Sequence, residues 1–97
     1  MCGFIGLVSL DKLNKDEALN KKFNKAYYFL KSRGPDEKGV WSDYNAYFLH
    51  TRLKILDLSS SAAQPMQKGQ YIICFNGEIY NFHFIKKMLI KKGYYFT

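Results

Sequence analysis

Cys2 is the residue whose position most favours covalent chemistry. It stands directly after Met1 and before Gly3. Because an initiator methionine is normally trimmed before a residue as small as cysteine, we expect the mature chain to begin with a thiol and a free α-amine on the same residue. An α-amine ordinarily has a pKa of about 8, so it can accept the thiol's proton near neutral pH. Position 2 therefore indicates a candidate N-terminal nucleophile.

Asn76 and Gly77 directly follow a short apolar run. The Asn76 side-chain amide and the Gly77 backbone N–H are two donors at a predicted strand end, and such donors can hold a developing oxyanion. The same pair is typical of an ordinary turn, because Asn-Gly favours positive φ. On these two residues alone, both interpretations stay open.

Two charged residues are suited to hold an amino-acid substrate. Arg52 ends a predicted strand and can bind a carboxylate in bidentate fashion, although an exposed ion pair is the ordinary alternative. Glu78 can hold an ammonium group, or can lie in solvent beside a helix start. These residues are candidates for binding rather than for bond breaking.

Structural roles are predicted for several residues near these candidates. Arg33 and Asp36 flank Gly34-Pro35, where we expect them to pair across a tight turn. His50 and His83 lack the spacing of a metal site, so we expect no bound metal and a structural role for both.

The first half of the chain is predicted to supply a strand, a helix and a strand pair. An apolar, partly β-branched run at Phe4–Leu10 predicts a buried strand, and helical periodicity predicts an amphipathic helix over Asp16–Lys31 with Gly34 at its C-cap. Two short strands are then expected, at Gly39–Trp41 and Ala46–Arg52, joined by turn residues.

The second half is predicted to supply a loop, a strand and a helix. Ser59–Gly69 has a loop composition, and the apolar run Tyr71–Phe75 predicts a strand covered on both faces. Asn81 can cap a helix that ends at Gly93, after which residues 94–97 look like the start of another strand. The predicted buried side of this helix is Ile85, Met88 and Leu89. The element order favours an α+β fold with antiparallel sheet covered by helices.

Composition excludes several classes of protein. The 97 residues are 47% hydrophobic and 24% charged, which is globular rather than disordered. The net charge of +7 comes from scattered lysines without a basic stripe, so nucleic-acid binding is not expected. Cys2 and Cys74 are too few for a disulfide framework, although a single bridge between them stays open. With neither a signal peptide nor an apolar run of about 20 residues, we expect a cytoplasmic protein outside membranes.

Five motifs, taken in order, resemble the class II glutamine amidotransferases. Within that family the resemblance is closest to the glutaminase domain of glutamine-hydrolysing asparagine synthase, and it spans essentially all 97 residues. The motifs are Met-Cys-Gly-Phe-Ile-Gly at 1–6, Arg-Gly-Pro-Asp at 33–36, His-Thr-Arg-Leu at 50–53, Gln-Pro-Met at 64–66 and Phe-Asn-Gly-Glu-Ile-Tyr-Asn at 75–81.

The resemblance implies a role for each candidate residue. It makes Cys2 the nucleophile with its own α-amine as general base, and Asn76 and Gly77 the oxyanion hole. It implies that Arg52 binds the α-carboxylate of glutamine and that Glu78 helps to hold the α-ammonium group. The implied fold is that of the N-terminal nucleophile hydrolases, an αββα sandwich of two antiparallel sheets between helix layers.

The resemblance also implies a longer protein. The family domain is about twice this length, a size typical of single domains, so residues 1–97 are expected to be its N-terminal half. No acidic residue follows Glu78, although the family uses a further Asp at the amino-group site. Ammonia is expected to pass to a synthetase domain that uses ATP and magnesium to convert aspartate to asparagine, and assembly as a homodimer stays open. Alone, this part is expected to be inactive or poorly active.

Two other functions stay open on the sequence. A class II amidotransferase of the same branch could aminate a different acceptor, such as a sugar precursor. The chain could also be a non-catalytic module that retains a glutamine pocket.

Overall fold

The computed structural model describes residues 2–54 and 59–96. These residues form the α+β fold with antiparallel sheets that the sequence predicts. The strands are β1 (Gly3–Val8), β2 (Glu37–Ser42), β3 (Ala46–Arg52), β4 (Met66–Lys68) and β5 (Tyr71–Ile73), the helices are α1 (Glu17–Leu30) and α2 (Phe82–Lys91), and a short 3-10 helix covers Ser60–Ala62.

A three-stranded antiparallel sheet holds β3 between β1 and β2. The β2–β3 hairpin closes at Asp43, whose carboxylate accepts hydrogen bonds from the backbone nitrogens of Asn45 and Ala46, both at 2.8 Å. β3 has the predicted bounds, whereas β2 is longer than predicted. Because β3 is central and covered, its last four residues, 49–52, are all buried.

Helix α1 covers one face of this sheet. Asp16, the first residue of the predicted helix, is its N-cap, with its carboxylate accepting a hydrogen bond from the Leu19 backbone nitrogen at 2.9 Å. The buried Phe23 packs its ring 3.9 Å from that of Tyr47 on β3. The predicted helix bounds are therefore confirmed, because capping and periodicity are local properties of the segment.

Gly34 does not cap α1, so that prediction is wrong. The C-cap is Lys31, and Gly34 has no positive φ. Gly34 is buried against the end of β3 instead: a Cβ there would lie 2.5 Å from the Arg52 backbone nitrogen and closer still to the Thr51 carbonyl. The glycine is needed because two backbones approach closely, rather than because the chain turns left-handed.

The opposite face of the sheet is crossed by residues 64–74. Ile72 and Cys74 line a depression together with Phe4 and Phe48 of the three-stranded sheet. β4 and β5 pair across a turn in which Gly69 has a φ of 58°. The segment predicted as a loop thus contains a 3-10 helix and a strand, since the turn at Gly69 lets β4 fold back and pair with β5.

Two predicted buried strands are partly exposed. β5 ends at Ile73 instead of Phe75, and Tyr71 and Ile73 are 72% and 55% exposed, so it is not covered on both faces by the described residues. β1 alternates, with Phe4 and Val8 exposed and Ile5 half-buried. A continuous apolar run shows that both faces are apolar, but only packing decides whether both are covered.

Helix α2 begins after Asn81 and buries none of its residues. Asn81 occupies the N-cap without a side-chain capping bond. Leu89 is half-buried, whereas Met88 is 41% exposed, so the predicted buried side is only partly correct. Gly93 ends the helix with a φ of 91°, as the left-handed C-terminal position requires. Residues 94–96 form no strand within the described chain.

The accessible surface of the chain is larger than that of a typical folded protein of the same mass. Its accessible surface is 7881 Å², against about 5,800 Å² expected for a folded protein of this size. Among the described residues, the buried hydrophobic side chains are those of Phe23 and Leu49. In the same residues, no helix has both the length and the apolar character that a membrane span requires.

Candidate active site

Cys2 lies directly before β1, against the end of β3. Its thiol sulfur accepts a hydrogen bond from the Leu53 backbone nitrogen at 3.3 Å and lies 3.8 Å from the Leu53 carbonyl oxygen. Leu53 follows Arg52 in the chain, so the antiparallel pairing of β1 with β3 brings the cysteine to the predicted substrate-binding arginine. The thiol is thereby held at one edge of the sheet.

Asn76 and Arg33 both donate to the backbone carbonyl of Cys2. The Asn76 side-chain nitrogen lies 2.8 Å from this oxygen, and Arg33 Nε lies 3.5 Å from it. Asn76 is 74 residues away in sequence, and it is the end of β5 that carries it there. The structure therefore brings together the predicted nucleophile and the side chain predicted as an oxyanion donor.

Gln64, a residue to which the sequence assigned no role, binds the residue directly before Asn76. Gln64 Oε1 accepts a hydrogen bond from the Phe75 backbone nitrogen at 2.6 Å, and Gln64 Nε2 donates to the Phe75 carbonyl at 3.1 Å. The Gln64 backbone rests on β2 at Gly39, where a Cβ would lie 2.8 Å from its carbonyl carbon. The Gln-Pro-Met motif at 64–66 drew attention to this segment. That Gln64 bonds Phe75 could not be predicted from it, because the two residues are brought together only by the fold.

Arg52 is buried and pairs with a carboxylate of the protein. It lies opposite Glu37 in the sheet, with its Nη1 2.9 Å from Glu37 Oε2 and 2.7 Å from the Ser59 carbonyl. The side chains of Arg52 and Glu37 are 7% and 28% exposed. The ion pair of the alternative interpretation is therefore present, but it is largely buried rather than exposed. The sequence did not indicate Glu37 as a partner of Arg52, because only the register between β2 and β3 puts the two residues opposite each other.

Gly77 and Glu78 line an open depression beside Cys2's partner Asn76. The other residues that line it are Phe75, Ile79 and Phe82. Neither Asn76 nor Gly77 has a positive φ, so the Asn-Gly pair does not form the left-handed turn that its composition favours. Glu78 is exposed, and among the described residues no hydrogen bond connects it with Cys2.

Arg33 and Asp36 do not pair across their turn, so that prediction is wrong for the described chain. Arg33 binds the Cys2 carbonyl, whereas the Asp36 carboxylate accepts a hydrogen bond from the Lys54 backbone nitrogen at 2.8 Å. The Asp36 backbone nitrogen also donates to the Arg52 carbonyl at 3.0 Å. The two side chains bind different segments because Gly34 seats the turn against β3.

His50 is buried beside the Arg52–Glu37 pair. It is 1% exposed, and within residues 2–54 and 59–96 neither ring nitrogen has a hydrogen-bond partner. Burial lowers the pKa of His50, the Arg52 guanidinium lowers it further, and Glu37 partly opposes both. Burial and the positive charge of Arg52 disfavour the charged imidazolium, whereas the negative charge of Glu37 favours it. The lowering effects are larger, so His50 is neutral near pH 7.

The two cysteines differ in their surroundings. Both are free thiols, so the alternative of a bridge between them is not realised. Burial raises the pKa of the Cys74 thiol, which makes it a weaker source of thiolate at neutral pH. Among the described residues, no group of three or more His, Cys, Asp or Glu side chains could hold a metal ion.

The family model of the glutamine amidotransferase domain matches residues 1–97 of the chain. The chain belongs to this family. It is 35% identical to asparagine synthetase [glutamine-hydrolyzing] 3 of Bacillus subtilis over 99% of the chain and 16% of that protein. It is 36% identical to asparagine synthetase B [glutamine-hydrolyzing] of Escherichia coli over 84% of the chain and 14% of that protein.

The amidotransferase chain therefore spans about one sixth of the length of these curated relatives. A putative asparagine synthetase [glutamine-hydrolyzing] 2 of Methanocaldococcus jannaschii is 33% identical over 90% of the chain and 20% of that protein. No solved structure matches the chain significantly.

Proposed function

We propose that this amidotransferase chain hydrolyses glutamine to glutamate and ammonia, with Cys2 as the nucleophile. The observation that supports this most is the 2.8 Å hydrogen bond from the Asn76 side-chain amide to the Cys2 carbonyl. In this proposal, Cys2 is a nucleophile with a neighbouring donor suited to an oxyanion, which is the arrangement that acyl transfer needs.

The first step forms a thioester. Once Met1 is removed, the Cys2 α-amine takes the thiol proton, and the thiolate attacks the side-chain amide carbon of glutamine. The amide oxygen becomes an oxyanion that accepts hydrogen bonds from the Gly77 N–H and from Asn76. A side-chain amide carries two N–H groups, so Asn76 can donate one to the Cys2 carbonyl and the other to the oxyanion.

The second step releases the products. The tetrahedral intermediate collapses, the amide nitrogen takes the proton held by the α-amine, and ammonia leaves. Water then attacks the γ-glutamyl thioester through a second oxyanion at the same donors. Its proton returns to the sulfur, and glutamate is released with the Cys2 thiol restored.

Two charged residues recognise the amino-acid end of glutamine in this proposal. Arg52 attracts the α-carboxylate, and Glu78 attracts the α-ammonium group. Glu37 and the Ser59 carbonyl hold the Arg52 side chain at Nη1, which supports a defined orientation of the guanidinium group. Arg33 and Asp36 hold the surrounding backbone through hydrogen bonds, His50 is a buried packing residue, and none of the three touches the substrate in this proposal.

The ammonia is used, in this proposal, by another domain of a longer protein. Because the relatives are named glutamine-hydrolysing asparagine synthetases, we propose that a synthetase domain uses the ammonia, ATP and magnesium to convert aspartate to asparagine. Residues 1–97 then form the N-terminal half of an αββα glutaminase domain in a cytoplasmic enzyme. In this proposal ATP and magnesium bind in the synthetase domain, and residues 1–97 contribute the glutamine chemistry.

Labelling tests the nucleophile. A glutamine-analogue electrophile is expected to modify Cys2 and spare Cys74, whose raised pKa leaves little thiolate. Cys2→Ala should abolish the labelling, and Cys74→Ala is the matched control that should retain it. Intact mass should show that Met1 has been lost. Retention of Met1, or labelling that survives Cys2→Ala, would contradict the proposal.

Product analysis tests the acceptor. The natural full-length protein is incubated with glutamine, aspartate, ATP and magnesium, and asparagine is expected to accumulate with glutamate. Glutamate formation without asparagine would favour an amidotransferase with a different acceptor. Binding of glutamine without hydrolysis would favour a non-catalytic module.

A further inference from the structure

We infer that Gln64 is a positioning residue for the oxyanion donors at Asn76 and Gly77, an inference that rests on the proposed function. Its side-chain amide binds both backbone polar groups of Phe75, the residue directly before Asn76. The two bonds reach the N–H and the C=O on either side of the Phe75 Cα, so together they restrain the position and the rotation of this residue. Asn76 and Gly77 follow directly in the chain, so the position of Phe75 sets where their donors lie.

The segment that carries the donors has little else to hold it. β5 ends at Ile73 and α2 begins at Phe82. In the part of the chain that the structure describes, residues 74–78 make no backbone–backbone hydrogen bond. The two bonds from Gln64 therefore replace the strand ladder at the point where the ladder stops. Loss of both bonds would leave the segment fixed at this point chiefly by the bond from Asn76 to Cys2.

Gln64 is itself anchored on the central sheet. It is half-buried, and its backbone carbonyl rests on Gly39 of β2, where only a glycine permits the approach. A continuous series of contacts thus runs from β2 through Gln64 and Phe75 to Asn76, which binds the Cys2 carbonyl. Both the nucleophile and its oxyanion donors are therefore anchored to the same three-stranded sheet.

Misplacement of these donors has a calculable kinetic cost. A shift of about 1 Å in a catalytic group can lower the rate about 10²-fold. Removal of one oxyanion donor lowers it about 10²–10³-fold. Since Gln64 acts through its neighbours and leaves the donors in place, we expect Gln64→Ala to lower kcat for glutamine hydrolysis by about 10–100-fold.

The experiment uses the natural full-length protein and compares two reactions of Cys2. Glutamine hydrolysis passes through an oxyanion, whereas alkylation by iodoacetamide does not. Gln64→Ala is therefore expected to lower kcat while the alkylation rate and KM stay within about twofold of the wild type. Gln67→Ala is the matched control, because among residues 2–54 and 59–96 the side chain of this exposed β4 glutamine bonds only the neighbouring Gly69 carbonyl, at 3.4 Å.

A second variant separates the two bonds of Gln64. Gln64→Glu keeps an oxygen to accept from the Phe75 nitrogen but loses the Nε2 donor. Its carboxylate repels the Phe75 carbonyl at neutral pH, and protonation restores a donor as the pH falls toward about 4–5. The ratio of its kcat to that of the wild type is therefore expected to rise as the pH is lowered.

The outcomes are distinguishable. If the wild type is active and Gln64→Ala matches Gln67→Ala in kcat, the inference is overturned while the proposed function stands. If alkylation of Cys2 falls as much as kcat does, Gln64 serves general folding and the inference is also overturned. A wild-type protein that releases no ammonia from glutamine overturns the proposed function, and with it any kinetic role for Gln64.

Discussion

Gly39 offers a sharp test of the packing that supports the site. A methyl group added by Gly39→Ala would overlap the Gln64 carbonyl oxygen, and it would lie 2.8 Å from the carbonyl carbon and 3.1 Å from Pro65 Cδ. Backbone atoms cannot rotate out of the way as a flexible side chain can. Because Cβ contacts below 3.0 Å are essentially never observed, the Gln64 carbonyl has to retreat by about 1 Å.

The displacement should cost both stability and rate. Overpacking of this kind typically costs about 1–3 kcal/mol. For a domain of this size, each 1 kcal/mol lowers Tm by about 4–8 °C, so a decrease of about 10 °C is expected. A shift of about 1 Å at Gln64 also carries Phe75 and Asn76 with it, which should lower kcat for glutamine hydrolysis by about 10²-fold.

Gly6→Ala is the matched control for Gly39→Ala. Gly6 also lies in a strand of the three-stranded sheet, but a Cβ there would meet only the Phe48 ring at 3.4 Å, an ordinary contact. Thermal unfolding by circular dichroism and steady-state ammonia release are measured for both variants. If Gly39→Ala melts and turns over like Gly6→Ala, the contact between β2 and the Gln64 segment does not support the site.

Three further outcomes are expected. Because burial and the Arg52 guanidinium lower the pKa of His50, its contribution to stability should be fully present above about pH 6.5 and should fall by up to about 1.4 kcal/mol per pH unit below it, until the folded state also protonates. Urea titrations of His50→Phe should lose this slope, and those of the exposed His83→Gln should keep it. Asp16→Ala should lower the free energy of unfolding by about 1 kcal/mol, because the first turn of α1 loses its cap; an unchanged urea midpoint would contradict this. Glu37→Ala should lower the free energy of unfolding by about 3 kcal/mol, because it removes the carboxylate that lies 2.9 Å from the buried Arg52 guanidinium; a smaller loss in an Arg52→Ala background would verify the coupling.

The elements that could be predicted from the sequence are those with local causes. The helix after Asp16 begins where its side chain satisfies a backbone nitrogen of the first turn, and it ends within the predicted bounds. Gly93 ends α2 because glycine alone adopts its φ without strain. The β2–β3 hairpin closes on Asp43 and Asn45, which are near neighbours in the chain. Each of these signals lies within a few residues of the element it controls.

The predictions that were wrong depended on distant partners. Gly34 has the position of a cap because it follows a helix, but it faces the end of β3. Arg33 and Asp36 have the spacing of a pair because they flank a turn, yet each binds a separate segment. The apolar run from Tyr71 has the composition of a strand buried on both faces, although coverage depends on which residues pack there.

The amino-acid sequence alone specifies the types of residue available for chemistry and their order along the chain. Cys2 after Met1 and the candidate donors at Asn76 and Gly77 are predicted without coordinates, because a thiol, an amide and a backbone N–H have chemical properties that do not depend on the fold. Their neighbours, in contrast, are set by the folded chain. The antiparallel pairing of β1 with β3 brings Cys2 to Leu53, and Asn76, which follows the Phe75 bound by Gln64, donates to the Cys2 carbonyl. Contacts across 74 residues follow from sheet register and close backbone packing, which no local pattern encodes.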